Sequence, residues 1–192
     1  MSNLNDLRTI KTLNSIETAF INLLTIKNFK NITINDISKE AIINRSTFYL
    51  HFNDKYQLLD LLINKYIKNV ISTVSAKSHI KNNKLDYESF FNDLEKALNI
   101  ISKQPLFYKF ILNDPEFLGT HRKTEEYFIE ELDKSYPQKT AVERELLIKA
   151  TSSIYISVIS WWLNNDMVYS TKFIANEIVK LFNLGSANLI SY

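Results

Sequence analysis

Glycine and proline are almost absent from this chain of 192 residues, which contains Gly119, Gly185, Pro105, Pro115 and Pro137 and no others. Folds with many β-turns, and folds built from repeated strand–helix–strand units, use far more of these residues to end their segments. Hydrophobic residues make up 45% of the chain, which is enough to bury a core of domain size. The scarcity of turn residues therefore predicts an all-helical protein.

Apolar residues in the first part of the chain recur at helical spacing, and capping residues divide them into four helices. The first helix is expected over about residues 4–26. Thr33 and Asn44 are expected to cap two short helices, because their side chains can accept hydrogen bonds from the N–H groups of a first helical turn. Asp54 is expected to cap a long fourth helix that reaches about Ser78.

A polar stretch, SHIKNNKLD at residues 78–86, predicts the junction between two regions of the chain. Beyond it the pattern predicts five more helices, at about 86–102, 105–113, 115–135, 141–164 and 171–184, which makes about nine in all. We expect two functional domains, residues 1–54 and residues 55–192, with the fourth helix at about 54–78 as the connector.

The two short helices, the turn between them and the long helix that follows match the helix-turn-helix arrangement, in which the second short helix enters the DNA major groove. Phe48 and Phe52 are spaced to face inward together. The exposed faces of that helix then carry Arg45, Ser46, Thr47, Tyr49, Leu50 and His51. Hydroxyl and imidazole groups can donate to phosphate oxygens, and arginine can pair with guanine. An incidental turn in a small helical bundle is the alternative interpretation.

Charge adds only a small bias toward DNA. Up to Lys55 the chain has seven basic and five acidic residues, and the remaining 16 basic and 16 acidic residues cancel. DNA binding would therefore depend on the placement of groups more than on total charge. Lys55, in the first turn of the fourth helix, would bring an ammonium group to a helix end that itself attracts phosphate.

The segment ITINDISKEAIINRSTFYLHFNDKYQLLDLLI, residues 32–63, resembles the DNA-binding segment of the TetR family of transcriptional regulators. The matching positions are Thr33, Ile37, Ala41, Ile43, Ser46, Thr47, Phe48, Tyr49, His51, Phe52, Lys55, Leu58 and Leu59. The resemblance implies phosphate contacts by Thr33, Thr47, Tyr49, His51 and Lys55, and base contacts by Asn35, Arg45, Ser46 and Leu50. Arg45 suits guanine and Leu50 suits a thymine methyl group.

One position departs from the family's pattern. Its turn residue is usually glycine, and here it is Ile42. Glycine adopts positive φ without steric penalty, whereas a β-branched residue does not. We therefore expect either a different turn or backbone strain at Ile42.

Aromatic residues are concentrated in the second half of the chain. They can line an apolar effector pocket in which tyrosine hydroxyls or a histidine orient the ligand, although aromatic residues at helical spacing more often form ordinary core. The pocket candidates are Phe90, Phe91, Phe107, Tyr108, Phe110, Phe117, His121, Tyr127, Phe128 and Tyr155.

The last two predicted helices include the nearly apolar run Ile154–Leu163 and a segment capped by Ser170. A helix that is apolar all round must be covered on every side. The resemblance implies that the two helices pair with their twofold mates in a homodimer, through Ile154, Val158, Trp161, Trp162, Ile174, Ile178, Leu181 and Phe182. Burial against the chain's own helices is the alternative.

Little in the sequence suggests catalysis, a cofactor or a metal. Cysteine is absent, and two isolated glycines exclude glycine-rich phosphate loops and the G-x-S-x-G motif. His51, His79 and His121 are far apart, so neither an enzyme nor a metal site is expected. Because no N-terminal apolar segment and no run of about 20 apolar residues is present, we expect a cytoplasmic protein with no membrane partner.

The sequence therefore predicts a TetR-type transcriptional regulator that binds a near-palindromic double-stranded operator as a homodimer. Repression relieved by a small-molecule effector is the family's commonest mechanism. Activation, and control by a protein partner without a ligand, are the alternatives within the family. A helical small-molecule-binding or adaptor protein without DNA function is the alternative of a different class.

Overall fold

The structure is a computed structural model that describes residues 2–74, 80–81, 84–113 and 118–188. In chain order its helices are α1 (Ser2–Ile26), α2 (Ile34–Glu40), α3 (Arg45–Tyr49), α4 (Lys55–Ile71), α5 (Tyr87–Ile101), α6 (Pro105–Asn113), α7 (Leu118–Ser135), α8 (Arg144–Asn164) and α9 (Thr171–Asn188). A short 3-10 helix at Phe29–Asn31 connects α1 to α2. These nine α-helices within the described ranges confirm the all-helical fold class and the approximate helix number.

A small antiparallel ladder lies in the predicted polar junction. It pairs β1 (Ile80–Lys81) with β2 (Lys84–Leu85), with Ile80 opposite Leu85. The sequence did not predict this ladder, because two-residue strands carry too little periodicity to be distinguished from a loop.

The chain divides into two compact units, Met1–Ile63 and Asn64–Tyr192. We call them the N-terminal unit and the C-terminal unit. The division falls inside α4, later in the chain than the functional boundary expected at residues 54–55.

The long connector helix α4 ends at Ile71, before the predicted end near Ser78. Its last turn tightens into i→i+3 bonds, with Thr73 N–H donating to Val70 O at 3.1 Å and Val74 N–H to Ile71 O at 3.0 Å. The Thr73 hydroxyl also donates to Val70 O, at 2.7 Å. Such side-chain bonds compete with helix continuation, and residues 75–79 lie outside the described ranges.

In the N-terminal unit the core lies between α1, the 3-10 helix and the helix-turn-helix. It is built from fully buried apolar side chains, chiefly Ile16, Phe20, Phe29, Ile32, Ile37, Phe48 and Leu58. Phe20 and Phe29 meet edge to face with ring centroids 6.0 Å apart. This core supports short helices that could not persist alone in water.

The core of the C-terminal unit is formed by α5 to α9 and the end of α4. Trp162 of α8 is 1% exposed, and its indole N–H donates to Tyr169 O at 2.8 Å, which ties α8 to the segment before α9. By length and composition, α8 is the one helix in the described residues that could cross a membrane, a test that core helices of globular proteins also pass. Tyr155, Ile159 and Leu163 of this helix are buried inside the unit.

Candidate functional site

The first element of the helix-turn-helix, α2, begins with a complete capping box, which confirms Thr33 as its N-cap. The Thr33 hydroxyl oxygen accepts from Asp36 N–H at 3.1 Å, and a carboxylate oxygen of Asp36 accepts from Thr33 N–H at 2.9 Å. The Lys27 ammonium lies 2.9 Å from the other carboxylate oxygen. The hydrogen bonds from Lys27 and Thr33 hold the pKa of Asp36 well below its usual range.

The turn after α2 has the positive-φ backbone geometry that glycine usually adopts. Ile42 has φ of 55°, in the left-handed region. Its N–H donates to Lys39 O at 3.1 Å, and Ile43 N–H donates to Ser38 O at 2.9 Å, which is the hydrogen-bond pattern of a Schellman motif. Of the two expected outcomes at Ile42, the structure therefore shows backbone strain in a conventional turn.

The second short helix, α3, is anchored by two phenylalanines, as expected. Phe48 is 0% and Phe52 is 7% exposed, and their ring centroids lie 5.5 Å apart. Asn44 occupies the N-cap position, but its side chain makes no capping hydrogen bond. The predicted cap at Asn44 is thus correct in position and wrong in its side-chain bond, because the backbone carbonyl of Asn44 accepts from Thr47 N–H instead, at 3.0 Å.

The outer surface of α3 carries the predicted polar and apolar groups, and we call this surface the reading face. Arg45, Ser46, Tyr49 and Leu50 are exposed, and Thr47 and His51 are half-buried. Arg45 Nη2 donates to the Tyr49 hydroxyl at 3.4 Å, and its guanidinium carbon lies 5.9 Å from the centre of the Tyr49 ring. The two side chains are therefore held together before any ligand is met.

Asp54 caps α4 as predicted. One oxygen of its carboxylate accepts from Tyr56 N–H at 2.9 Å and from Gln57 N–H at 2.7 Å. Asn53 N–H in turn donates to the side-chain oxygen of Gln57 at 2.6 Å. These bonds define where α4 begins.

Lys55, the first residue of α4, points toward the backbone that precedes α2. Its ammonium donates to Phe29 O at 2.8 Å, to Lys30 O at 2.9 Å and to Ile32 O at 2.7 Å. The same nitrogen lies 4.6 Å from the centre of the Phe29 ring. Burial lowers the pKa of Lys55. Sequence reasoning missed these contacts, because no local pattern pairs Lys55 with carbonyls more than twenty positions earlier in the chain.

All the expected DNA contacts lie in the N-terminal unit, around α2, α3 and the start of α4. Thr33 and Asn35 are exposed at the start of α2, and Lys55 is half-buried. The Thr33 hydroxyl already donates to Asp36, at 2.8 Å. The structure thus gathers the predicted residues into one segment, with the outward groups of α3 the most accessible.

A small cavity of about 20 Å³ lies inside the C-terminal unit, close to the volume that one water molecule needs. Among its lining residues only Tyr155 has a polar side-chain atom, and burial raises the pKa of that phenol well above its usual value. The cavity is lined by Val70, Ile71, Val74, Leu94, Ala97, Leu98, Ile101, Phe128, Leu132, Tyr155, Ile159 and Ile178.

Of the ten aromatic and histidine candidates for a pocket, Phe128 and Tyr155 line this cavity. Phe107 and Tyr108 pack against Tyr66 instead, with ring centroids 4.6 Å and 5.7 Å away, and Phe117 lies outside the described residues. The remaining candidates, Phe90, Phe91, Phe110, His121 and Tyr127, are not among the lining residues. The aliphatic lining residues had no distinguishing signal, because they belong to ordinary apolar helix stripes.

The candidate dimer residues fall into three groups by exposure. Trp162, Ile174 and Ile178 are buried within the C-terminal unit itself, and Ile154, Val158 and Phe182 are half-buried. Trp161 and Leu181 are exposed, at 48% and 39%. Trp161 stacks on Tyr169 with ring centroids 5.7 Å apart, and Tyr169 stacks on Phe173 at 4.7 Å. Sequence reasoning did not include Tyr169 or Phe173 in this exposed aromatic row.

Two family models match the chain. The model for bacterial regulatory proteins of the tetR family matches residues 19–62, and the model for a transcriptional regulator C-terminal region matches residues 88–184, about half of the chain. A curated relative, an uncharacterized helix-turn-helix transcriptional regulator YxbF of Bacillus subtilis, is 31% identical over 97 residues. That match covers 50% of this chain and only 24% of the relative, so the chain spans about a quarter of the relative's length.

Several solved structures have the same fold as this chain at low sequence identity. A TetR-family protein from Syntrophomonas wolfei superposes with a TM-score of 0.69 at 17% identity, covering 95% of this chain and 97% of that one. FadR of Bacillus halodurans superposes with a TM-score of 0.65 at 16% identity, covering 92% and 97%. A TetR regulator from Streptococcus agalactiae superposes with a TM-score of 0.60 at 23% identity, covering 94% and 98%. With both family models matched and this fold, the chain belongs to the TetR family of bacterial regulatory proteins.

Proposed function

We propose that this protein is a sequence-specific transcriptional regulator that reads the DNA major groove with α3. The observation that carries the proposal is the reading face: Phe48 and Phe52 are buried beneath a helix whose opposite side exposes Arg45, Ser46 and Tyr49. A short helix with a buried aromatic anchor and hydrogen-bonding groups outward is what a helix-turn-helix needs in order to bind a duplex. The relatives of this family are regulators, and we propose no catalytic role.

In this proposal the DNA-contacting residues divide into two sets. Thr33, Thr47, Tyr49 and His51 contact phosphates and set the orientation of α3. Asn35, Arg45, Ser46 and Leu50 contact base edges, with Arg45 suited to guanine and Leu50 to a thymine methyl group. Phosphate contacts supply much of the affinity, so binding falls as salt concentration rises.

The experiment is a fluorescence-anisotropy titration of the DNA that flanks the protein's own gene. Tyr49→Phe removes one exposed hydroxyl from the reading face and is expected to weaken binding by about tenfold, since hydrogen bonds to charged groups contribute about 1.5–3 kcal/mol. Tyr87→Phe, which removes an exposed tyrosine hydroxyl from the C-terminal unit, is the matched control and should bind as the wild type does.

Arg45→Met completes this test. It should reduce the preference for the cognate sequence over a substituted one by about 1–3 kcal/mol at a single base pair. Wild-type affinity and sequence preference in both reading-face variants would remove the proposed function and would favour a helical small-molecule-binding or adaptor protein.

We further propose that the protein acts as a homodimer on a near-palindromic operator. The supporting observation is the exposed aromatic row Trp161, Tyr169 and Phe173, with Leu181 exposed further along α9. Exposed large apolar side chains grouped in this way are typical of protein interfaces. Sedimentation should show a dimer for the wild type and a monomer for Trp161→Lys. The control Leu106→Lys, which changes a leucine of α6 about as exposed as Trp161, should remain dimeric.

Regulation is proposed to be repression that an apolar small-molecule effector relieves, in the cytoplasm where the operator lies. The supporting observation is the uncharged cavity in the C-terminal unit, which would have to enlarge to admit a ligand. An effector that binds only one state of the dimer would shift the population toward that state. 1-Decanol serves as an uncharged, largely apolar probe, and displacement of operator DNA by 1-decanol would support this mechanism.

The sign of regulation is tested in cells. Deleting the gene should raise expression from the neighbouring promoter if the protein is a repressor, and lower it if the protein is an activator. If the promoter responds to deletion but no apolar ligand displaces the DNA, control by a protein partner becomes the preferred mechanism.

A further inference from the structure

The Lys55 ammonium has a hydrogen-bond acceptor for each of its three N–H groups. A lysine ammonium has three N–H groups, and three backbone carbonyls, of Phe29, Lys30 and Ile32, accept from it at 2.7–2.9 Å. These short distances are typical of charge-assisted hydrogen bonds, which are about twice as strong as neutral ones. A phosphate could be bound by this group only if at least one of the three bonds were broken.

The three carbonyls belong to the connection between α1 and α2, which consists of the 3-10 helix and Ile32 directly after it. Phe29 and Ile32 each have a side chain that is 1% exposed, so this connection is already anchored in the core. Ile32 is followed directly by Thr33, the N-cap of α2. A group that holds these carbonyls therefore determines where α2 begins.

Lys55 itself lies at the opposite end of the helix-turn-helix. It is the first residue of α4 and follows Asp54, whose carboxylate caps that helix. The Phe29 and Tyr56 rings lie near the Lys55 nitrogen, with centroids 4.6 Å and 5.5 Å away. One side chain thus joins the connection before α2 to the start of α4.

We propose that Lys55 is a positioning residue, which closes the helix-turn-helix by binding the α1–α2 connection and which makes no direct contact with DNA phosphate. The binding of Lys55 to the three carbonyls is a property of the free protein. Only the expected effect on DNA affinity rests on the proposed function. Removal of Lys55 releases the start of α2 and, through the turn at Ile42, the orientation of α3. Lys55 differs in this respect from Tyr49, whose hydroxyl faces outward.

The first experiment uses the wild-type protein without DNA. Lysines are acetylated with a limiting amine reagent and the modified sites are quantified by mass spectrometry, with Lys39, an exposed lysine of the same unit, as the internal reference. Lys55 should react about tenfold or more slowly than Lys39, because its ammonium must first leave the three carbonyls. Adding operator DNA should leave the Lys55 rate unchanged.

The second experiment compares Lys55→Met and Lys55→Arg. Arginine is a good phosphate ligand, but its planar guanidinium cannot place three donors on three carbonyls grouped around one nitrogen. Both variants should therefore melt at least about 4 °C below the wild type and bind DNA about tenfold or more weakly. The slope of log K against log salt concentration should stay at the wild-type value in both.

A direct phosphate contact by Lys55 would give a different pattern. The salt slope of Lys55→Met would fall by about 0.9 for each phosphate that is no longer neutralised, while Lys55→Arg would bind as the wild type does, and either result overturns the proposal. Rapid acetylation of Lys55 in the free protein, with protection only when DNA is added, overturns it as well.

If Lys55→Met does not fold, the acetylation rates of the wild type and the DNA binding of Lys55→Arg still test the proposal. If the protein binds no DNA, acetylation and melting still test the closure, so the two failures are distinguishable.

Discussion

The N-terminal unit and the C-terminal unit are each stabilised internally by a different kind of interaction. In the N-terminal unit, α2 has seven residues and α3 has five. Specific polar bonds of Thr33, Asp54 and Lys55 hold the start of α2, the start of α4 and the connection before α2. In the C-terminal unit, α8 has 21 residues and α9 has 18, and broad apolar faces hold them. Short helices are marginal in water and depend on caps and tertiary contacts, whereas long helices are stabilised mainly by the apolar area that they bury.

This difference explains why short sequence motifs indicated the family in the N-terminal unit more clearly than in the C-terminal unit. A capping box or a three-carbonyl contact requires particular residue types at particular positions. An apolar core accepts many combinations of similar total volume. The motifs in the sequence were therefore specific over residues 32–63 and less so in the C-terminal unit, although a family model matches residues 88–184.

The distinction between the units is not absolute, because the C-terminal unit contains a cationic contact of the same kind. The Arg144 guanidinium donates to Pro137 O at 3.0 Å, to Asp133 O at 2.6 Å and to Tyr136 O at 3.4 Å, and pairs with the Asp133 carboxylate. It thereby satisfies carbonyls at and just beyond the end of α7, as Lys55 does before α2. Both units use one cation to hold a connection between helices.

Truncating one core phenylalanine in each unit should have the strongest effect, and it tests whether the two cores are equivalent in stability and different in function. Phe48→Ala and Phe107→Ala each remove a side chain that is 0% exposed, and each should reduce the free energy of unfolding by about 3–5 kcal/mol. Urea denaturation measures both. Below the denaturation midpoints, Phe48→Ala should abolish operator binding and Phe107→Ala should retain it, and equal loss of binding in both would contradict the functional distinction between the units.

Removing an equivalent cap from each unit should have a smaller effect. Thr33→Ala removes the hydroxyl that accepts from Asp36 N–H, and Ser170→Ala removes the one that accepts from Phe173 N–H at 3.2 Å. Each should cost about 1 kcal/mol in thermal unfolding. Only Thr33→Ala should weaken DNA binding, because Thr33 is the N-cap of α2 and a proposed phosphate contact, and Thr33→Ser should retain both properties.

Strain relief offers a stabilising change in both units. Ile42 and Met167 have φ of 55° and 53°. The left-handed conformation costs a non-glycine residue about 1–2 kcal/mol, whereas the greater flexibility of glycine in the unfolded chain destabilises the fold by about 0.5–1 kcal/mol. The net effect of Ile42→Gly should therefore be a stabilisation of roughly 0.5–1 kcal/mol. Met167→Gly should gain less, since a β-branched residue is the more unfavourable there. A lower melting temperature for Ile42→Gly would show that the Ile42 side chain contributes more than its 91% exposure indicates.

A pH dependence confined to the N-terminal unit is expected to be the weakest effect. Because its bonds to Lys27 and Thr33 lower the pKa of Asp36, this carboxylate stabilises the fold above its ordinary pKa of about 3.9, and the contribution is lost as pH falls toward the lowered value. Asp36→Asn should remove that part of the acid sensitivity in melting curves taken from neutral to acidic pH. An unchanged pH profile in this variant would mean that the ionisation of Asp36 does not contribute to the acid sensitivity.

Features that depend on residues close together in the chain could be predicted from the amino-acid sequence alone. The scarcity of glycine and proline predicted the helical class, and Thr33, Asp54 and Ser170 were correctly predicted as caps, because a cap joins a side chain to an N–H two or three residues later. The inward pair Phe48 and Phe52 followed from the helical period in the same way.

Features that join distant parts of the chain became visible only in the folded protein. The fold brings Lys55 to the carbonyls of residues 29, 30 and 32, and it places Phe128 and Tyr155 at the cavity while packing Phe107 elsewhere. Such contacts depend on how whole helices pack against one another. Because many residues contribute to that packing together, no short window of sequence contains it.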